Sequence, residues 1–312
     1  TYRVMYQDPQ HISVYINPDN HGLLHRDRWF AQGKPCPVAI SIGHDPLLFM
    51  VACTRHPAGT CEYDLMGGIK GEPVDVIIDP HTGLPIPAYS EIVICGEFLP
   101  DDIRPEGPFG ETFGYYASGV QQLPVVSVKA VYYRNNPIIL GNPPSRPPYE
   151  KSGGSVRFSS SETAIERLRK LVPGVKDLYS AFPSAGGHVA VVAIEQQYPG
   201  HAMQAGLAVV NSGGHRPRYA IVVDDDVDIR NPEHLMWAVT TRTDPVKDVH
   251  FITRTTSSPV EPAIPPWEHD LMSRAIVDAT RPYEWIDKFP PTVDVSPDLR
   301  ERTIDRWKNI LA

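Results

Sequence analysis

Arg104-Pro105-Glu106-Gly107-Pro108-Phe109-Gly110-Glu111 is the densest stretch of potential chemistry in the chain. Two prolines and two glycines exclude a helix across it. In an extended chain, residues five apart point to opposite faces, so only a tight turn brings Glu106 and Glu111 into one cavity. Two carboxyls in one pocket can be driven apart in acidity, burial favouring the protonated form of one while a neighbouring arginine keeps the other ionised. Such a pair is suited to general acid–base work. The same text also fits a solvated, glycine-rich loop carrying incidental glutamates.

A second constellation is Asn20, His21 and Glu62, each expected at a turn or near a strand end. Imidazole and carboxylate together suit a divalent ion such as manganese, which needs no thiolate. The chain has 12 histidines, so a single one also reads as a surface or satisfied core residue. Arg3 lies in strand-like text, where a guanidinium is expensive to bury without partners. It either faces solvent or pairs with a carboxylate in a site. Asp224-Asp225-Asp226 ends an apolar strand and reads either as a metal or ribose site or as a helix entry and surface turn.

The elements that must position these residues fall into two styles. From Tyr2 to about Tyr133 the text is short strands cut by turns: Ile12, Val14 and Ile16 alternate, as do Val74, Val76 and Ile78, and Ile92–Ile94 and Val125–Val131 follow. This predicts a closed or nearly closed β-barrel interrupted by one helix after Asp45-Pro46. The run Asn142-Pro143-Pro144-Ser145-Arg146-Pro147-Pro148 and then Ser152-Gly153-Gly154 can continue neither helix nor ladder, so the boundary belongs there. Beyond it the spacing predicts a helix over Ser161–Leu171 with Ile165, Leu168 and Leu171 on one face, then a strand over His188–Ile194. A helix over Ala202–Val210, a strand over Tyr219–Val223 and a helix capped by Asn231 complete an α/β layer. Ser296–Leu311 reads as a capped amphipathic helix with Leu299, Ile304, Trp307 and Leu311 as its stripe. That stripe fits docking to another chain or packing on its own domain. The expected division is 1–141, a linker at 142–154, an α/β domain at 155–290 and a C-terminal helix at 291–312.

Composition narrows the function classes. At 312 residues, 41% apolar and 21% charged, the chain is long enough for two cores and is neither fibrous nor disordered. A net charge of −8 argues against nucleic acid, whose phosphates require a basic surface. The longest apolar run, Leu47–Cys53, is far short of the roughly 20 residues a membrane span needs. Cys36, Cys53, Cys61 and Cys95 form no CxxC pair, which fits a reducing cytoplasm. The chain opens at Thr1 directly in strand-like text, which suggests a segment upstream of it.

In order along nearly the whole chain, the blocks Thr1-Tyr2-Arg3, Asn20-His21-Gly22, Glu62 with Gly67-Gly68-Ile69-Lys70-Gly71-Glu72-Pro73, Glu91-Ile92-Val93-Ile94 and Glu106-Gly107-Pro108-Phe109-Gly110-Glu111 with Gly114-Tyr115-Tyr116 resemble the UbiD-type decarboxylases. The likeness continues through Val222–Asp228, Trp237-Ala238, Arg242, Asp244-Pro245 and Ile276–Thr280. The family depends on prenylated FMN and reversibly decarboxylates aromatic, heteroaromatic and α,β-unsaturated acids. The resemblance implies a split β-barrel of flavin-reductase type followed by a smaller α/β domain and a C-terminal docking helix.

It also implies roles. Arg3, Glu106 and Glu111 fall on the family's catalytic set, with Glu111 as proton donor to a covalent substrate–flavin adduct. His21 and Glu62 fall on the ligands of a divalent ion, expected as Mn2+, that grips the flavin phosphate. Thr54 lies near the family's K+-binding turn. Thr1, Tyr2, Arg3, Asn20, His21, Glu62 and Arg218 fall on cofactor contacts, Asn20 standing where many members have glutamine. A further metal-ligating asparagine of the family would precede Thr1. The implied partners are a small carboxylic acid, a flavin prenyltransferase that supplies the cofactor, and further copies of the chain; neither nucleic acid nor membrane is expected. Two other readings are a non-catalytic homologue or assembly subunit, and an oxidoreductase that uses unmodified FMN. Losing CO2 from an sp2 carbon leaves a carbanion no side chain can stabilise, so the chemistry itself demands such a cofactor.

Overall fold

The computed structural model describes residues 2–16, 21–53, 56–57, 59–111, 113–117, 119–141, 146, 164–181, 187–211, 217–257, 260–265 and 271–311. Thr1, Asn20, Thr54 and, Arg146 apart, the proline- and glycine-rich stretch 142–154 lie outside these residues.

The first half is built on a five-stranded antiparallel sheet in the order β1-β2-β7-β6-β3. Its strands are β1 (Arg3–Asp8), β2 (His11–Tyr15), β3 (Cys36–Ile42), β6 (Ile92–Glu106) and β7 (Gln121–Tyr133). Among the described residues β1 and β3 are its edges. Its core gathers Ile12, Val14, Cys36, Phe98 and Val126. Gly96 lies at a register shift in β6, where a Cβ would come 2.3 Å from the Ser127 carbonyl oxygen. Only glycine lets these two long strands approach so closely there.

Among the described residues three helices, not one, accompany this sheet. The expected α2 (Pro46–Ala52) is capped by the Asp45 side chain, which accepts from Leu47 N at 2.8 Å. The two not anticipated are α1 (His21–Phe30) and α3 (Glu62–Lys70). α1 buries no residue outright, and α3 carries Gly67-Gly68 in its interior, so neither shows the periodic apolar stripe that marks a helix in sequence. The alternation at Val76 and Ile78 forms β4 (Val76–Ile78), paired only with β5 (Pro85–Pro87), and all three β4 residues are exposed.

The second half is a mixed five-stranded sheet in the order β11-β12-β10-β9-β8. Its members are β8 (Val175–Ala181), β9 (Val189–Ile194), β10 (Tyr219–Asp224), β11 (Val249–Thr256) and β12 (Leu271–Ala279). β9, β10 and β12 are parallel. Helices cover both faces, which explains why these strands read as unbroken apolar runs. Val192, Ile194, Ala220, Val222 and Ile276 face α4 (residues 164–171) and α5 (His201–Asn211). Val191, Ala193, Val223 and Ala279 face α6 (Pro232–Arg242). The apolar face of α4 runs through Ile165 and Leu168 to Val172 just beyond the helix, while Leu171, expected inward, is exposed.

The C-terminal α7 (Pro297–Leu311) presents Leu299, Ile304 and Trp307 to solvent. Among the described residues no helix is long and apolar enough to cross a membrane.

Candidate active site

Arg3 opens β1 and lies directly opposite Tyr15 on β2. Glu106 is the last residue of β6, fully buried, and pairs in register with Gln121 of β7. The chain then reverses at Gly107, whose φ of 100° and a Cβ position only 2.5 Å from the Gly119 carbonyl oxygen admit no larger residue. The peptide between Gly107 and Pro108 is cis. This reversal returns Glu111 to the face that holds Glu106. The tight turn inferred from the sequence is present, and both carboxylates meet one guanidinium.

Arg3 Nε and Nη2 donate to the two oxygens of Glu106, each at 2.9 Å, and Nη1 donates to Glu111 Oε1 at 2.9 Å. The fork-on-carboxylate contact with Glu106 is the geometry that makes arginine, and not lysine, the fitting cation. Three of the five N–H groups of the guanidinium are used in these contacts, leaving an outer edge that can receive a third anion. The cation also lies between two rings, 4.8 Å from the centroid of Tyr15 and 4.6 Å from that of Phe109. Both rings are within the reach of a cation–π contact with it.

The electrostatic count is simple: one guanidinium serves two carboxyls, and the trio is neutral when one of them carries a proton. Burial and arginine pairing, expected on different carboxyls, both fall on Glu106. Glu111 meets the cation through one oxygen and keeps 15% of its side chain exposed. Arg104, within the same sequence block, faces elsewhere, bridging Asp8 and Asp102. It ties the end of β6 to the β1–β2 turn. Gln7 adds a second tie by donating to the Pro105 carbonyl oxygen at 2.9 Å.

His21 and Glu62 head α1 and α3. Tyr2 connects the two helix ends: its hydroxyl accepts from Gly22 N at 3.1 Å, and burial together with the nearby Glu62 charge pushes its phenol above the ordinary range. A Cβ on Gly22 would meet the Tyr2 hydroxyl at 2.3 Å, so glycine permits this approach. Two helix N-termini around one phenol, with an imidazole and a carboxylate, are oxygen and nitrogen donors that fit a divalent cation beside a phosphate. Among the described residues no three His, Cys, Asp or Glu side chains cluster as a self-sufficient metal site.

In the second half, Arg218 immediately precedes β10, where it contacts the buried Glu261. Two of the three consecutive aspartates are engaged internally. Asp224 accepts from Arg242, Arg281 and Gln196, and Asp226 accepts from Arg242, so the helix-entry reading describes them better than a metal site. Tyr15, Phe109 and the contact between Phe113 and His188 escaped the sequence reading. Tyr15 left no signal either, because a regular hairpin turning at Pro9-Gln10 would set residue 16 opposite residue 3, and only the register shift between Tyr6 and Asp8 brings Tyr15 there.

Known proteins share this fold. Residues 1–147 match the 3-octaprenyl-4-hydroxybenzoate carboxy-lyase Rift-related domain, and residues 158–279 match the C-terminal domain of the same carboxy-lyase. An uncharacterized protein of Synechocystis is 30% identical over 310 residues, covering 98% of this chain and 61% of that protein. The UbiD-class enzyme HmfF from Pelotomaculum thermopropionicum, solved with FMN, superposes with a TM-score of 0.84 at 25% identity over 96% of this chain and 65% of that one. The vanillic acid decarboxylase of Sedimentibacter hydroxybenzoicus, in its closed form, gives 0.79 at 28% identity over 99% and 65%. The chain therefore spans less than two thirds of the length of each of these three proteins. Matched by both domains of one carboxy-lyase and by the folds of two UbiD-class structures, with the Glu-Gly-Pro-Phe-Gly-Glu turn closed on Arg3, the chain belongs to the UbiD family.

Proposed function

We propose that this chain carries the active site of a reversible, non-oxidative decarboxylase acting on an aromatic, heteroaromatic or α,β-unsaturated carboxylic acid. The observation that supports it is the single guanidinium of Arg3 shared between the buried Glu106 and the part-exposed Glu111. Prenylated FMN, held by the residues named below, would supply the electron sink that no side chain can provide. Everything else is work for the protein. The outer edge of Arg3 orients the substrate carboxylate, and Tyr15 and Phe109 lie within cation–π reach of that cation. Glu106, twice hydrogen-bonded, holds the guanidinium in register. Glu111 delivers its proton to the carbon that CO2 leaves and recovers one for the next turnover.

His21 and Glu62 would hold Mn2+ against the flavin phosphate, with Tyr2, Asn20 and Thr1 lining the cofactor, Arg218 reaching it from the second half, and Thr54 contributing to a K+ site. The same proposal covers the split-barrel character of residues 1–141, the linker at 142–154, the α/β domain at 155–290 and the C-terminal helix from 291. It includes a flavin prenyltransferase as cofactor source, a cytoplasmic setting, and self-association through the exposed stripe of α7. The test is Glu111→Gln in protein produced together with a flavin prenyltransferase. CO2 release from a panel of aromatic and acrylic acids should vanish while the flavin absorbance stays. Undiminished product formation overturns the role.

A further inference from the structure

Phe113 stands at the tip of a turn closed at both ends: Gly114 N donates to the Glu111 carbonyl oxygen at 2.8 Å, and Glu111 N donates to the Tyr115 carbonyl oxygen at 2.9 Å. A turn tied in this way moves as a unit, so displacing the Phe113 ring displaces Glu111. That ring packs on His188, with centroids 4.5 Å apart and planes tilted by 38°. His188 immediately precedes β9 in the second half of the chain, and it is anchored in two ways. Its carbonyl oxygen accepts from both Arg218 N and Tyr219 N at 2.8 Å. Its Nε2 lies 3.3 Å from Oε1 of the fully buried Glu261, whose other oxygen contacts Arg218.

We propose that His188 is a positioning residue: by stacking on Phe113 it sets the place of the Glu111 carboxyl against Arg3, so that the second sheet governs the proton donor of the first. The inference deepens the decarboxylase reading and rests on it for the meaning of Glu111, although the mechanical link stands on the contacts alone. Glu111 reaches Arg3 Nη1 at 2.9 Å, and a misplacement of about 1 Å in such a contact can lower a rate by two orders of magnitude. The ring, more than the charge, performs this task, because Glu261 already has Arg218 as a counter-ion.

Two variants separate ring from charge. His188→Gln keeps a polar partner for Glu261 and removes the ring; His188→Phe keeps a ring and removes the polar partner. Backbone hydrogen exchange at Glu111 and Gly114 is the readout independent of turnover, with Val222 in β10 as an internal reference for an intact sheet. His188→Gln should speed exchange at those two amides by about tenfold, leave Val222 unchanged, and lower kcat by about tenfold with KM within about twofold. His188→Phe should restore both. Unchanged exchange in the Gln variant, or rescue by Gln and failure by Phe, overturns the proposal. If exchange behaves as expected while the wild-type protein releases no CO2 from any acid, the decarboxylase reading falls and the coupling stands. If the wild-type protein is active and exchange stays flat, the coupling alone falls.

Discussion

Replacing Arg3 by glutamine removes the one cation that two carboxylates share, and the size of the effect follows from the contacts. Two charge-assisted hydrogen bonds reach Glu106, whose side chain is fully shielded from water. Each is worth roughly 1.5–3 kcal/mol net, or roughly 3–6 for the pair. Arg3 keeps 24% of its side chain exposed, and that residual hydration draws the figure to the lower end, about 3 kcal/mol. Much of this loss is the burden of a buried carboxylate left without its counter-ion. Glu106→Gln alone should cost less, about 1.5 kcal/mol, because Arg3 still has Glu111. In the double variant no buried charge is stranded. Its loss should therefore fall about 2 kcal/mol short of the sum of the two single losses. Urea unfolding of the four proteins, read by circular dichroism with equal slopes, measures the cycle. Additivity within about 0.5 kcal/mol would show that Arg3 and Glu106 are not energetically coupled, and the reasoning built on their fork would fail.

Tyr15→Ala and Phe109→Ala each remove one ring from the faces of Arg3 and should each cost about 1 kcal/mol beyond lost packing, read against Leu substitutions that keep bulk without a π face. A Leu variant as stable as wild type would count against the clamp. His21→Ala or Glu62→Gln should weaken Mn2+ binding, followed by titration calorimetry, by about a hundredfold; unchanged affinity would remove both from the ligand set. A third expectation concerns Asp79. Burial works against its charge, yet hydrogen bonds from Thr82 and Tyr132 hold its carboxyl at about 2, below its ordinary 3.8. A carboxyl lowered on folding stabilises the fold above its unfolded value and loses that contribution as pH falls towards 2. Tyr132→Phe removes one of those bonds, so the variant should have a lower urea midpoint than wild type at pH 7, the gap closing between pH 4 and 2. A gap that is constant over that range would contradict the assignment.

The turn that carries Glu106 and Glu111 was legible because two prolines and two glycines leave few other conformations, whereas the strand left Arg3 open between solvent and a carboxylate partner, and only the resemblance singled it out. Two of the five strands of the second sheet, β9 and β10, were legible for a different reason: with both faces covered they had to be continuously apolar. α1 and α3 were hidden because their inward surfaces are narrow, and His21 and Glu62 were consequently placed near strand ends when they in fact start helices. Leu171 was assigned inward by counting in threes. Seven residues make nearly two whole turns, so Val172, not Leu171, returns to the face of Ile165. The meeting of Phe113 and His188 depends on how two sheets dock, and no local period encodes that. The helical stripe of α7 showed an apolar face without showing what it packs on, and in the structure that face is exposed.

Arg3 rides on β1, which pairs only with β2 and ends the described sheet. Edge strands fray at lower cost than the interior of a sheet, and it is an edge strand of this half that carries the cation the two glutamates require. Mild denaturant should therefore disarm the site while the rest of the sheet is still folded, inactivation running ahead of global melting. Any contact that staples this margin in place would act as an activator without touching a reacting atom.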